Sequence, residues 1–210
     1  MGALVIAVDG SAASGKGTLA RRLARHFGLA YLETGGLYRA TALKLIESGG
    51  DPADEAAAAR AAGEVKAEDL ADPRLREERV AQGASIVAAI PGVRAALLGF
   101  QRAIAARPPG AVLDGRDIGT VVCPEARAKL FLTASIEARA TRRLKELRES
   151  GNEAIYERVL KDMIDRDARD SGRRTAPSVP APDALILDTT TLDADAAFAR
   201  ALDFIGARLS

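Results

Sequence analysis

The sequence predicts an α/β fold, a three-layer α/β/α sandwich around a central parallel sheet, and three observations point to it. Short continuous apolar runs recur along the chain, each ending at a polar turn, as strands buried on both faces do. Segments with apolar residues at helical spacing alternate with these runs. The first run passes through a glycine-rich loop straight into the first helical segment, the order of a parallel unit.

Taken in order, Leu4-Val5-Ile6-Ala7-Val8 forms the first strand, closed by Asp9-Gly10. Leu19, Leu23 and Phe27 then recur at helical spacing among Arg21, Arg22 and Arg25, and Gly28 stops the helix. Ala30-Tyr31-Leu32 is a second short strand. The turn Thr34-Gly35-Gly36 follows it and leads into a helix carrying Leu37, Ala40 and Leu43-Lys44-Leu45 to about Ser48. Asp51 to Arg79 changes character, with nine acidic and five basic side chains, alanine-rich helix and breaks at Pro52 and Pro73. A small, mobile insertion is expected there. From Val80 through Ile104 helical spacing returns, bent into two helices at Pro91-Gly92. Ala111-Val112-Leu113-Asp114, Lys129-Leu130-Phe131-Leu132 and Ala184-Leu185-Ile186-Leu187-Asp188 are the remaining strands. Charged helices are expected from Ser135 to Arg148 and from Glu153 to about Asp167, and a last helix from Ala194 to Leu209.

Composition narrows the function. With 210 residues, 48% hydrophobic and 28% charged, the chain can bury one core, or a core with a small lobe. Thirty Lys and Arg against twenty-nine Asp and Glu leave a net charge of +1, so no uniform field drives the surface onto a nucleic acid polymer or an anionic membrane. Cationic function must therefore be local. The single cysteine, Cys123, cannot form an internal disulfide, and with His26 as the only histidine there is no Cys/His zinc set. The first apolar run is too short for a signal core, and no run approaches the roughly twenty residues that span a bilayer. A cytoplasmic, monomeric protein is the expectation.

Gly10-Ser11-Ala12-Ala13-Ser14-Gly15-Lys16-Gly17-Thr18 lies between a predicted strand and a predicted helix, the setting a phosphate-binding loop requires. Glycines let successive N–H groups turn inward, the helix adds the positive end of its dipole, and Lys16 adds a full charge. ATP with Mg2+ is the ligand expected there. The hydroxyl that usually follows the lysine comes one residue later, at Thr18, which leaves the direct metal ligands open; Asp114 is either a turn cap or a water-mediated magnesium partner. A guanine-reading Asn-Lys-x-Asp stretch is absent, since the only asparagine is Asn152. Asp114 is followed by Gly115, without the glutamate that polarises water in motor-type ATPases. Guanine specificity is thus disfavoured, and hydrolysis is not the evident purpose of the loop.

Transfer to a second phosphate brings two polyanions together, and a like-charge pair 4 Å apart costs about 4 kcal/mol at an effective dielectric near 20. Arginines must converge on such a site. Arg39, Arg94, Arg116, Arg166, Arg169 and Arg173 all stand beside turns or in the late charged stretch. Taken alone, each reads as a solvated surface group.

Four separated motifs in order give them a setting. Glu33-Thr34-Gly35-Gly36-Leu37-Tyr38-Arg39, the stretch from Ala84 to Arg94 around Ile90-Pro91-Gly92, Asp114-Gly115-Arg116-Asp117-Ile118-Gly119-Thr120 and Arg166-Asp167-Ala168-Arg169-Asp170 resemble bacterial cytidylate kinases over nearly the whole chain. The resemblance implies a P-loop kinase fold and ATP-dependent phosphorylation of CMP and dCMP. It implies that Arg39, Arg116 and Arg173 hold the CMP phosphate, that Thr34, Arg94 and Asp117 contact cytosine, and that Ser85, Arg166 and Asp170 contact the sugar. Arg139 would stack on adenine, and Arg142 or Arg143 would reach the ATP phosphates. Lys16, Arg116 and Arg173 would then carry the catalytic charge. An aspartate accepts from the cytosine amine, whereas uracil presents a second acceptor there, so Asp117 would reject UMP.

The implied organisation is one domain: a core at about 1–48, 80–138 and 180–210, a monophosphate-binding insertion at about 49–79, and a lid at about 139–175. Residues Arg139 to Arg174 hold eleven basic and eight acidic side chains around Ser150-Gly151. Two departures from the family stand out: the insertion is short and helix-like where many relatives have strands, and Thr34 replaces the usual serine. Kinases for UMP, AMP or another small phosphorylatable metabolite, and a non-catalytic nucleotide sensor, remain as alternatives.

Overall fold

The structure, a computed structural model, describes residues 2–149, 151 and 153–209. Ser150, part of the predicted break in the lid, and Asn152 lie outside the described residues. Strands β1 (Leu4–Gly10), β2 (Ala30–Glu33), β3 (Gly110–Gly115), β4 (Ala128–Thr133) and β5 (Leu185–Asp188) form one sheet in the order β2-β3-β1-β4-β5, with every pair parallel. Each apolar run named above is one of these strands. β1 sits at the centre, in register with β3 from Leu4↔Gly110 to Asp9↔Gly115 and with β4 from Ile6↔Ala128 to Gly10↔Leu132.

Of the eight α-helices among the described residues, six cover the two faces. α1 (Lys16–Phe27) and α8 (Ala194–Leu209) pack on one face, where Ile6 and Val8 of β1 meet Leu19, Leu23, Ala201 and Ile205. α2 (Thr34–Glu47), α3 (Glu55–Gly63), α4 (Glu78–Val87) and α5 (Pro91–Ala105) close the other, where Ala7 and Leu113 join Leu37, Val80, Val93 and Leu97. Alternate residues of one strand thus face the two layers. α6 (Ile136–Glu149) and α7 (Tyr156–Gly172) form an outlying pair with its own small apolar contact through Ala140, Val159 and Met163. No single helix among the described residues is long and apolar enough to cross a membrane.

Four details differ from the sequence expectation. α2 begins at Thr34, so Gly35 and Gly36 lie inside its first turn. The first turn lacks i→i−4 bonds to its N–H groups, which lowers the cost of glycine there, and the space above Gly36 is filled by Leu70. α7 starts at Tyr156 and runs on to Gly172, five residues past Asp167, which puts Asp170 on the helix. Segment 51–79 holds α3, capped by the Asp54 side chain accepting from the Ala57 N–H, and two short 3-10 helices at Glu68–Ala71 and Pro73–Arg76. It buries Ala58, Ala62 and Leu75 in the same apolar cluster as α2 and α5. Finally, a single π turn, Ile118–Val122, follows β3, an element the sequence reading did not anticipate. Pro91 starts α5 and bends it 100° from α4, as the Pro-Gly pair predicts.

Candidate active site

The glycine loop leaves β1 at the centre of the sheet's carboxyl end. Gly10 has φ +143° and a Cβ there would lie 2.0 Å from the Leu132 carbonyl oxygen, so no other residue fits. Ser11 donates its N–H to that same carbonyl at 3.2 Å. Ala13 takes the left-handed conformation with φ 56°. Gly15, with φ +87°, then turns the chain into α1, whose first residue is Lys16. Lys16 folds back and donates Nζ–H to the Ser11 carbonyl at 3.3 Å. Desolvation of its ammonium, with repulsion from Arg116, pulls the lysine down to about 8.

Neighbouring elements brace this loop. Thr189, just past β5, donates its hydroxyl to the Ser14 carbonyl at 2.9 Å, and Arg139 of α6 reaches the Ala12 carbonyl at 3.4 Å. Arg139 is 6% exposed and also holds the Ala134 carbonyl and the Asp167 carboxylate, the latter at 2.7 Å. A groove of about 280 Å³ opens beside the loop, lined by Gly15, Thr18, Leu19, Arg142, Thr189 and Leu192. Arg142 is fixed at its rim by donating to the Thr189 carbonyl at 2.5 Å. Arg143 instead crosses to Glu78 of α4 at 3.3 Å.

Three arginines from two segments, the turn after β3 and the end of α7, meet one carboxylate. Asp170 of α7 accepts from Arg116 Nε at 2.9 Å, pairs with Arg173, and has Arg166 Nε 3.9 Å away. Burial pushes the Asp170 carboxyl up, but Arg116, Arg173 and Arg166 outweigh it and hold it below its ordinary range. Desolvation and repulsion from Arg116 pull Arg166 down to about 10, with Arg39 and Arg143 adding to the repulsion. Arg39, from α2, pairs with Glu33 at 2.5 Å. The Nε–H groups of Arg39, Arg166 and Arg173 are all buried without a hydrogen-bond partner. Buried donors are satisfied in the great majority of folded proteins, so three orphans in one cationic cluster make it suited to an anion.

Beyond this cluster lies a second buried pair, Arg94 of α5 with Asp117 after β3. Arg94 also donates to the Ala88 carbonyl at 3.2 Å and lies 5.6 Å from the centre of the Tyr38 ring. Thr34 donates its hydroxyl to the Asp114 carbonyl at 2.8 Å, and Ser85 accepts from Arg169 Nε at 3.1 Å. The structure thus brings Arg116, Arg166, Asp170 and Arg173 into direct contact, and places Arg94 and Asp117 against each other.

Asp114, at the end of β3, lies beside the loop: a Cβ on Gly17 would sit 3.1 Å from its Oδ2, and Tyr31 donates to that oxygen at 3.2 Å. Burial pushes the Asp114 carboxyl up, against the pull of Lys16. Among the described residues no three His, Cys, Asp or Glu side chains gather as a metal cage. A single buried carboxylate beside a phosphate loop fits magnesium, which keeps most of its waters and takes its other ligands from substrate phosphates.

Sequence reading missed several parts of this site. Asp9 is buried and accepts from the N–H groups of Ile118 and Gly119, yet Asp-Gly at a strand end signals only a turn. Glu33 and Tyr31, on β2, partner Arg39 and Asp114, and only their place next to the Thr34 motif hints at it. Thr189 opens a run of three threonines that reads as a plain polar turn.

Comparison with known proteins addresses the fold and the family. TT1252 from Thermus thermophilus shares the fold at a TM-score of 0.52 and 23% identity, over 100% of both chains. A gluconokinase from Sinorhizobium meliloti shares it at 0.51 and 15%, over 98% of this chain and 93% of that one. A cytidylate kinase of Paramagnetospirillum magneticum is 63% identical over 207 residues, 97% of this chain and 98% of that protein. Another, of Methylocella silvestris, is 58% identical over 199 residues, 95% and 92% of the two chains. Since the family model for cytidylate kinase also matches residues 6–206, from β1 to the last turns of α8, the chain belongs to the cytidylate kinase family.

Proposed function

We propose that this protein transfers the γ-phosphoryl group of ATP to the phosphate of CMP, and of dCMP, giving ADP and CDP or dCDP. One observation carries the proposal: Arg116, Arg166 and Arg173 converge on Asp170, Arg116 and Arg166 lie within electrostatic reach of Lys16, and Arg166 and Arg173 keep buried Nε donors unpaired. A loop for one polyphosphate faces a cluster for a second anion.

In the proposed reaction an oxygen of the CMP phosphate forms a bond to the γ-phosphorus, and the bond from that phosphorus to the β,γ-bridging oxygen breaks. The acceptor is ionised near neutral pH, so positioning and charge neutralisation suffice without a general base. Lys16 and the loop N–H groups hold the donor phosphates. Arg39, Arg116 and Arg173 hold the acceptor phosphate with forked donors suited to a dianion. Asp114, with the Thr18 hydroxyl two residues past Lys16, would hold magnesium, which would supply charge neutralisation at the phosphates. The groove along Thr18, Arg142, Thr189 and Leu192 is suited to the donor nucleoside. Arg139, which braces the loop, is proposed for the adenine face, and Arg143 for the closed form of the lid.

Arg94 holds Asp117 Oδ2, which orients the carboxylate and leaves Oδ1 to accept from the cytosine amine. Ser85, Arg166 and Asp170 are proposed for the sugar, and Thr34 for the base. The test is an ADP-release assay with ATP and Mg2+ across CMP, dCMP, UMP and AMP. CMP and dCMP are expected to be consumed, with UMP at least about tenfold slower because two acceptors would face each other. Equal rates with CMP and UMP would remove the role given to Asp117. No product with any acceptor would leave a nucleotide sensor instead.

A further inference from the structure

The mechanism above leaves one buried carboxylate unused. Asp9 is the last residue of β1 before Gly10, so it stands at the root of the phosphate loop, and it is 4% exposed. Its Oδ1 accepts from the Ile118 N–H and its Oδ2 from the Gly119 N–H, both at 2.8 Å. Those two N–H groups belong to the residues immediately after Asp117. At the other end of the same π turn, Arg102 of α5 donates Nε–H to the Val122 carbonyl at 2.9 Å and a terminal N–H to the Val121 carbonyl at 3.1 Å. A carboxylate at the N–H end and a guanidinium at the carbonyl end hold the turn against its own dipole, as charges cap a helix.

This clamp is costly to build. Burial drives the Asp9 carboxyl up to about 7 despite the two N–H bonds, and Asp117 and Asp114 repel it. The aliphatic part of Lys129 packs over Gly119, and its ammonium is committed to Asp183 at 3.0 Å. A neutral side chain would cap the turn with less desolvation, so stability alone does not favour a carboxylate here. What the carboxylate does provide is two short directed bonds that tie the turn to the strand bearing the loop. The backbone between Asp117 and β3 has no slack either: a Cβ on Gly115 would meet Ile118 Cδ1 at 2.6 Å and Thr34 Oγ1 at 2.7 Å.

We propose that Asp9 is a positioning residue for acceptor recognition, fixing Asp117 relative to the phosphate loop by gripping the N–H groups of Ile118 and Gly119. The inference rests on Asp117 selecting the base, as proposed above. Donor loop and acceptor-selecting carboxylate then share a single strand, β1, as their reference.

The test compares Asp9→Asn, Arg102→Gln and Asp117→Asn with the unaltered protein, using steady-state kinetics with CMP, UMP and ATP. Asn at position 9 keeps one acceptor and turns an NH2 toward the second N–H. Misplacement of reacting or recognising groups by an ångström costs up to about a hundredfold. For Asp9→Asn the expected result is a KM for CMP about tenfold higher, a CMP-over-UMP preference about tenfold lower, and a KM for ATP within about threefold. Arg102→Gln should move the same two quantities in the same direction by about threefold. An unchanged KM for CMP and an unchanged preference in Asp9→Asn would overturn the proposal, as would an equal loss toward CMP and ATP. Should Asp9→Asn fail to fold, Arg102→Gln decides alone, and an unchanged preference there overturns it. If Asp117→Asn discriminates as the unaltered protein does, it is the role of Asp117 that fails. If Asp117→Asn loses discrimination while Asp9→Asn keeps it, only the role of Asp9 falls.

Discussion

Replacing Asp170 by asparagine removes the one carboxylate on which Arg116, Arg166 and Arg173 converge, while keeping its shape. Two of its contacts are hydrogen-bonded ion pairs and the third stands at 3.9 Å. Each such pair is worth about 4 kcal/mol at 4 Å and an effective dielectric of 20, before desolvation is subtracted. Removing one partner of a buried ionic network costs about 3–5 kcal/mol net, because the charges left behind keep their desolvation penalty and now repel. For a chain of this size that is a fall in melting temperature of roughly 6–20 °C. Inorganic phosphate separates the electrostatic origin from simple loss of packing, since it carries no sugar or base. It should raise the melting temperature of Asp170→Asn more than that of the unaltered protein, by supplying the missing counter-charge. Acid should narrow the difference. The folded carboxyl sits below its ordinary value of 3.8, so its contribution is present above that pH and is lost as pH falls through the lower folded value. Thermal and urea unfolding with and without phosphate, at neutral pH and near pH 3, tests each step. A variant within about 1 kcal/mol of the unaltered protein, or equal phosphate shifts for both, would mean that these guanidinium groups do not form an anion site.

Other consequences are open to direct measurement. Lys16→Met should lower turnover by about a hundredfold or more while leaving the fold intact, since in the proposed reaction the lysine's charge acts on phosphates; turnover near that of the unaltered protein would remove its role. With Lys16 at about 8 in the free protein and donor phosphates favouring its ammonium, nucleotide binding should take up roughly three quarters of a proton at pH 8.5 and almost none at pH 6.5. Calorimetry in two buffers of different ionisation enthalpy reads this uptake, and Lys16→Met should abolish it. Ala13→Gly should raise stability by about 0.5–1 kcal/mol, because relief of a left-handed alanine exceeds the added freedom of the unfolded chain. A lower urea midpoint for that variant would show that the loop conformation carries no strain.

The strands and the phosphate loop were legible because each is local: an apolar run, a glycine at a position of positive φ, a lysine at the start of a helix. That the arginines converge was expected from the chemistry of a second anion and from the resemblance, not from their spacing. Nothing in the spacing of Arg116, Arg166 and Arg173 says that they meet, because the meeting point is Asp170, and α7 had been expected to end near Asp167. The helix continues because Asp170 is a tertiary partner of Arg116, and such contacts override local end signals. Asp9 was hidden for a related reason. Its two donors lie more than a hundred residues away, in a π turn with no sequence signature of its own.

Acidic residues in the site bear on how a cationic cluster can exist in a folded protein before any anion arrives. Glu33 faces Arg39, Asp114 faces Lys16, and Asp170 faces three arginines. Without them the like-charge repulsion already visible in Arg166 and Lys16 would be uncompensated, at a few kcal/mol per close pair. With full neutralisation, by contrast, an incoming dianion would gain little. The structure lies between these limits: the carboxylates occupy some guanidinium donors and leave the buried Nε–H groups of Arg39, Arg166 and Arg173 unmet. On the proposed function, the three carboxylates set acceptor affinity as well as stability. It follows that Glu33→Gln, which frees Arg39 at the rim of the cluster, should tighten binding of inorganic phosphate by severalfold while destabilising the protein less than Asp170→Asn does. Weaker phosphate binding in Glu33→Gln would show that Glu33 orients Arg39 toward the anion, and that competition between carboxylate and ligand is not what tunes the site.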